Sequence, residues 1–276
     1  MNIFKFLKRD IRLGIVRRSY LFIIAIIFSY IIVSQCTSVM DAIKDLDYMS
    51  SNGTVMDYCI FSMQGMKYYR FDPKQSFQIP LLWFVFQIGI SYFTAYYTEK
   101  DYTNNGANVM VAGKNRSSWW FSKAIWCVLS VLIYYFVTFF TCSLFSMAQG
   151  AKLSFNVSYD FYKAYFGYNV TYISYSDLII VSIITPMLIT VGICLVQQLL
   201  SLVLSPVTSF ALTSMLYVLS AYYTVWFLPG SFTRWLRSSY YDEKGLNPLS
   251  GVLISTMLIV LVLVLGKAHI KSKDII

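Results

Sequence analysis

Residues 178–233 read LIIVSIITPMLITVGICLVQQLLSLVLSPVTSFALTSMLYVLSAYYTVWFLPGSFT, fifty-six residues without a single Asp, Glu, Lys, Arg or His. A helix rises about 1.5 Å per residue and needs about 20 apolar residues to cross a hydrocarbon core. The run is too long for one crossing and long enough for two. Pro206 lies near its midpoint, and proline is favoured in the first turn of a helix, where its missing N–H costs nothing. The stretch therefore predicts two helices joined by a tight turn at Leu204-Ser205-Pro206, with Pro186 placed to kink the first of them.

Four further charge-free runs, 19–40, 75–98, 124–151 and 245–266, have room for one helix each. The reading is six spans, at about 19–40, 78–98, 119–147, 178–203, 206–228 and 248–267. Only helices and closed barrels satisfy their backbone in lipid, and barrel strands alternate polar and apolar residues. Tyr20-Leu-Phe-Ile-Ile-Ala-Ile-Ile-Phe does not alternate. The expected fold is an all-α membrane protein in one transmembrane domain covering 1–276. Composition agrees: 57% of the 276 residues are hydrophobic and 13% are charged, against about 25% charged in soluble domains.

The charges orient the chain. With the N-terminus inside, the segments 1–18, 99–123 and 267–276 hold 13 basic and 4 acidic residues. The outer segments 41–74, 152–177 and 234–244 hold 9 of each. The whole excess of +9 falls on one side, as the positive-inside rule requires. This places the chain in the cell membrane, multi-pass, with both termini cytoplasmic, and it speaks against nucleic-acid binding. The first span follows about 19 residues with no small-x-small cleavage site after it, so it reads as a retained anchor. Residues 1–18 form an amphipathic interfacial helix. Ile3, Leu7, Ile11 and Ile15 recur at helical spacing, while Lys5, Lys8, Arg9 and Arg12 are placed for anionic headgroups at the membrane surface. Trp119, Trp120, Tyr96, Tyr97, Trp226 and Trp235 fall near predicted interfaces, where amphipathic rings are favoured.

Two outer loops, about 41–77 and 148–177, are long enough to carry structure of their own. A third outer segment, 229–247, mixes apolar, charged and turn-forming residues and suits a short interfacial or re-entrant helix, or a plain loop. The five cysteines show neither metal-ligand spacing nor a disulfide framework and read as buried packing residues.

Catalytic signals are sparse. The single histidine, His269, follows the last span without a companion cluster. Apart from Lys267, which closes the last span, Lys123 is the one charged residue inside a predicted span, and it reads as a snorkelling lysine near the inner surface. Proton pumping and acid–base hydrolysis both need more than this. Gly113-Lys114 fails as a phosphate-binding loop. Asn108 stands where a second glycine is needed, and Asn115 stands where Ser or Thr would hold magnesium. The chain is therefore expected to have no enzyme activity, no catalytic residues, no metal and no cofactor of its own.

The loop entering span 3 runs from Glu99 to Lys123 and contains Gly106 and Arg116. It resembles the corresponding loop in permease subunits of type-2 ATP-binding cassette exporters, with Glu99, Gly106, Arg116 and Lys123 at matching places. Ala107 stands where that family usually has Thr, and Asn115 and Ser117 make the small-residue step beside Arg116 approximate. The amphipathic N-terminal helix, six spans and inside termini resemble the same fold. The resemblance implies a dimer of permease subunits, homo- or heterodimeric, with the path between them. Two separate ATPase subunits would bind ATP and Mg and dock on a coupling helix in the 99–118 loop. Tyr102, Val109 and Met110 would fill a groove in the ATPase, with Glu99, Asp101 and Asn105 bonding at its rim and Gly106 and Arg116 framing the loop. Ser, Thr, Gln87 and Gln197 would be polar contacts along the path, although Gln87, Gln197 and Gln198 also read as interhelical hydrogen-bond partners. With so little charge in the spans, the expected cargo is an amphipathic peptide or lipid-like molecule. The competing reading is a non-transporting membrane immunity or regulatory protein that binds a partner.

Overall fold

The computed structural model describes residues 3–67, 69, 76–103, 116–167 and 174–272. Among these the chain is helical, with two isolated bridges in place of sheet. Helix α1 (Ile3–Asp10) passes through a π turn (Ile11–Ile15) and a 3₁₀ stretch (Val16–Phe22) into α2 (Ile23–Asp45). A kink at Arg18 (φ −112°, ψ 17°) separates the amphipathic start from the apolar helix. Then come α3 (Val55–Ser62), α4 (Leu81–Asp101), α5 (Arg116–Ala148), α6 (Tyr159–Phe166) and α7 (Tyr175–Ile179). A π turn (Ile180–Ile184) leads into α8 (Thr185–Val203), followed by α9 (Pro206–Tyr222) and α10 (Pro248–Ser272).

Four helical stretches are long and apolar enough to cross a membrane: 3–45, 116–148, 175–203 and 248–272. This is an α-helical, membrane-embedded protein. Helices α5 and α8 pack together at its centre. Helices α1, α2 and α3 lie on α5; α4 and α9 lie on α8; α10 touches both.

Local chemistry sets the helix limits. No Gly or Pro interrupts 116–148, so α5 runs unbroken for 33 residues and stops before Gly150, whose φ of +84° is left-handed. The expected turn at 204–206 is present: the Ser205 Oγ accepts from the Thr208 N–H and Pro206 opens α9. The π turn lies directly before Pro186, where the missing N–H loosens the helical ladder. Helix α9 ends at Tyr222, six residues short of the expected 228, because the carbonyls of Ser220, Ala221 and Tyr223 are taken by arginine side chains instead of a further turn.

The two long loops build a cap over one end of the bundle. Thr54 and Asp57 form a reciprocal capping box that starts α3, and every residue of α3 is buried. Thr54 also pairs with Lys152, joining the two loops. An aromatic cluster of Phe161, Tyr162, Phe166, Trp235 and Tyr241 packs beneath α6. The third segment is divided: residues 239–247 form turns at the surface, whereas its first half is neither a surface loop nor a regular helix. It makes two 3₁₀ turns, Pro229–Thr233 and Trp235–Arg237, and residues 230–237 are wholly buried.

Several expected interface aromatics lie in the core instead. Trp119, Trp120, Trp235 and Tyr97 are buried, and Trp226 alone among the tryptophans of that group is exposed. The indole N–H groups explain the inward placement. Trp119 donates to Asp101, Trp120 to the Leu263 carbonyl and Trp235 to the Ile60 carbonyl.

Candidate functional site

At the end of the bundle that carries both described chain ends, four charged side chains meet. Phe6, Asp10 and Gly14 recur every four residues and form the buried face of the N-terminal segment, which packs on α5. Gly14 is required there: a Cβ would stand 2.3 Å from the Trp126 Nε1. This close approach carries Asp10 into the protein, where its carboxylate is wholly buried.

Asp10 accepts hydrogen bonds from the Lys123 Nζ (2.5 Å), the Ser122 Oγ (2.6 Å) and the Tyr97 hydroxyl (2.9 Å). Lys123 Nζ also lies 2.7 Å from the Asp101 Oδ2, which accepts from the Arg9 Nη2 (2.7 Å) and the Trp119 Nε1 (3.2 Å). The ammonium sits 4.5 Å from the Tyr97 ring centroid and 5.4 Å from that of Trp119. Two acids and two bases thus form a neutral cluster joining α1, the end of α4 and the start of α5. Lys123 is not a snorkelling lysine. Its side chain has no exposed surface, because two carboxylates are brought to it where it stands.

The cluster fixes the two described segments that flank residues 104–115, the end of α4 and the start of α5. On one side Asp101 is held inward, the Tyr102 ring lies edge-on to Trp119 with centroids 6.0 Å apart, and the Thr103 Oγ1 donates back to the Glu99 carbonyl. On the other side Arg116 donates to the Lys271 carbonyl of α10 (3.2 Å). Gly266 lets α10 approach, since a Cβ there would stand 2.1 Å from the Trp120 ring. Asn105, Gly106, Val109 and Met110 lie outside the described residues. Glu99 and Tyr102 are half-buried. Asp101, expected at the rim of a partner's groove, spends its carboxylate on Arg9, Lys123 and Trp119.

Of the expected surface cations, Lys5, Lys8 and Arg12 are exposed, whereas Arg9 turns toward Asp101. Together with Arg17 they line an open groove of about 680 Å³. Arg17, Arg18, Lys100 and Tyr97 line an adjoining groove of about 520 Å³, with Arg18 over the Tyr97 ring at 5.4 Å.

The amides expected along a path are interior. The Gln87 Oε1 accepts from Thr190 (3.0 Å) and Tyr217 (3.2 Å), and its Nε2 donates to Tyr135 (3.3 Å). Gln197 donates to the Ser91 carbonyl and Gln198 to Thr98. All three amides are wholly buried and tie α4, α5, α8 and α9 together. In this conformation they line no surface of the chain.

Sequence reasoning missed Asp10, Ser122, Tyr97 and Trp119 as members of the cluster. A signal existed. Asp10 is the one acid in residues 1–18, it stands four residues after Phe6, and Lys123 sits among apolar residues without a sequence neighbour to pair it. Among the described residues no cluster of His, Cys, Asp and Glu is arranged to hold a metal ion. Neither a family model, nor a curated protein, nor a solved structure matches the chain.

Proposed function

We propose that this chain is the permease subunit of an ATP-driven exporter of the type-2 ATP-binding cassette class, working as a dimer with two separate ATPase subunits. In this reading six helices cross the membrane. The four long stretches are joined by α4, 21 residues, and α9, 17 residues; both lie within the range of about 17–25 residues that a span needs. Both termini face the cytoplasm. The basic grooves beside α1 rest on anionic headgroups through Lys5, Lys8 and Arg12. The cargo is an amphipathic peptide or lipid-like molecule.

One observation carries the proposal: the expected coupling loop, residues 104–115, is flanked by α4 and α5 side chains fixed to a single charged platform, the Asp101 Oδ2 and the Lys123 Nζ being 2.7 Å apart. A partner pressing on that loop would displace α4, α5 and the N-terminal segment as one body rather than deform a slack connection. Chemical energy would come from ATP and Mg held by the partner subunits. This chain's contribution is mechanical: Glu99, Tyr102 and the loop residues up to Arg116 receive the push, and the Arg9–Asp101–Lys123–Asp10 cluster passes it on.

Isolation of the tagged chain from its native membrane tests the reading. An ATP-binding-cassette ATPase should copurify, and Met110→Ala with Glu99→Ala should lower its recovery by about tenfold, the effect of about 1.4 kcal/mol of lost contact. Absence of any ATPase, or equal recovery with the altered loop, would favour the non-transporting immunity or regulatory role.

A further inference from the structure

The groove beside the Lys123 cluster takes its walls from two separate parts of the chain. Leu13, Arg17, Arg18 and Tyr20 come from the N-terminal segment, and Tyr97, Lys100 and Asp101 from the end of α4. Three cations therefore converge on one open space of about 520 Å³, within the range of about 300–1,000 Å³ that small-molecule sites occupy. Arg17 and Lys100 are exposed, and Arg18 is half-buried over the Tyr97 ring. Among the described residues no carboxylate stands within ion-pair distance of any of the three. Asp101, which shares the groove, is held by Arg9 and Lys123. The sequence that follows α4, residues 104–115, contains no Asp or Glu.

The position of these cations along the chain sets the depth of the groove. Arg17-Arg18 directly precedes the charge-free run 19–40, and Lys100 stands two residues after the run 75–98. Phe22 packs on Phe93 with ring centroids 5.2 Å apart, so the two apolar runs lie side by side and end together. The cations thus stand where apolar helix surface gives way to polar surface, at the level of lipid phosphates. Beyond them Tyr20, Ile23 and Ile27 are exposed, and their spacing of three and four residues puts them on one face.

A guanidinium fork beside an ammonium point charge selects phosphate oxygens. A soluble phosphate would use the cations alone, whereas a phospholipid uses the cations and the apolar lane together. We infer that Arg17, Arg18 and Lys100 form a binding site for the phosphate of one anionic phospholipid, whose acyl chains run along Tyr20, Ile23 and Ile27. This is a single site for a single lipid, beyond the general contact of a basic surface with headgroups. It rests on the reading that this end of α2 and α4 meets the membrane surface, and it needs no ATPase partner.

The test uses the full chain, purified in detergent and stripped of lipid, with thermal unfolding followed by tryptophan fluorescence at about 0.15 M salt while lipid is added in mixed micelles. The midpoint should rise saturably with phosphatidylglycerol, because binding to the folded state alone stabilises it. It should stay flat with phosphatidylcholine and with inorganic phosphate. Arg17→Gln with Lys100→Gln, both at exposed positions, should raise the phosphatidylglycerol concentration for half-effect by about thirtyfold, at about fivefold for each cation lost. Lys5→Gln with Lys8→Gln removes the same charge from the neighbouring groove, twelve and nine residues before Arg17. That separation along a helix exceeds the screening length of about 8 Å, so this pair should change the half-effect by less than about twofold. No rise with phosphatidylglycerol, an equal rise with phosphatidylcholine or with inorganic phosphate, or equal shifts for the two double variants would overturn the site. Equal shifts would mean diffuse attraction to a basic surface. Copurification of an ATPase is a separate readout, so its failure and the failure of this site are told apart.

Discussion

Lys123 is the residue on which the end of the bundle that carries both described chain ends depends. It contacts two carboxylates at 2.5 and 2.7 Å with no exposed surface. A buried ion pair adds little over an apolar replacement of the whole set, but removing one partner strands the others. Lys123→Met should therefore destabilise the purified protein by about 3–5 kcal/mol, read as a fall in thermal midpoint. Adding Asp10→Asn should recover part of that loss, since one of the stranded charges is then gone. Additive losses in the double variant would mean that the two side chains do not act as a pair. The sequence showed Lys123 as an isolated charge in an apolar run. It did not show the pairing, because Asp10 lies 113 residues away and the contact depends on how α1 folds back over α5.

At the scale of elements, the charge-free runs and Ser205-Pro206 made the long helices legible, since hydrophobic length and proline chemistry are local properties. The cap was not legible. Its order comes from contacts across about a hundred residues, such as the Ser158 N–H on Asp57 (2.9 Å) and the Asn52 amide on the Gln149 carbonyl (2.9 Å). Asp57 gives the cap a pH signature. Burial raises its pKa above the ordinary 3.8, against the lowering effect of N–H donors from Thr54 and Ser158. The folded state then holds its proton to higher pH than the unfolded chain. This contribution to stability is present in full below about 3.8 and is lost as pH rises through the folded value. Asp57→Asn should remove that slope, so the stability difference between variant and wild type should change with pH across this window. A constant difference from pH 3 to pH 7 would show that Asp57 titrates alike in both states.

For the whole molecule, charge asymmetry and apolar length identified a membrane protein. The interior network of Gln87, Tyr135, Thr190 and Tyr217 could not be told in advance from residues lining a path, because buried and path-lining amides look alike in sequence. The five native cysteines are all buried, so a single engineered cysteine reports cleanly. Asn105→Cys, treated with a membrane-impermeant maleimide in sealed vesicles of known orientation, locates the stretch on which the proposed ATP-driven coupling rests. The proposed mechanism predicts labelling from the cytoplasmic side alone. Labelling from the outer side alone would contradict it, because an ATPase subunit could not then reach the loop.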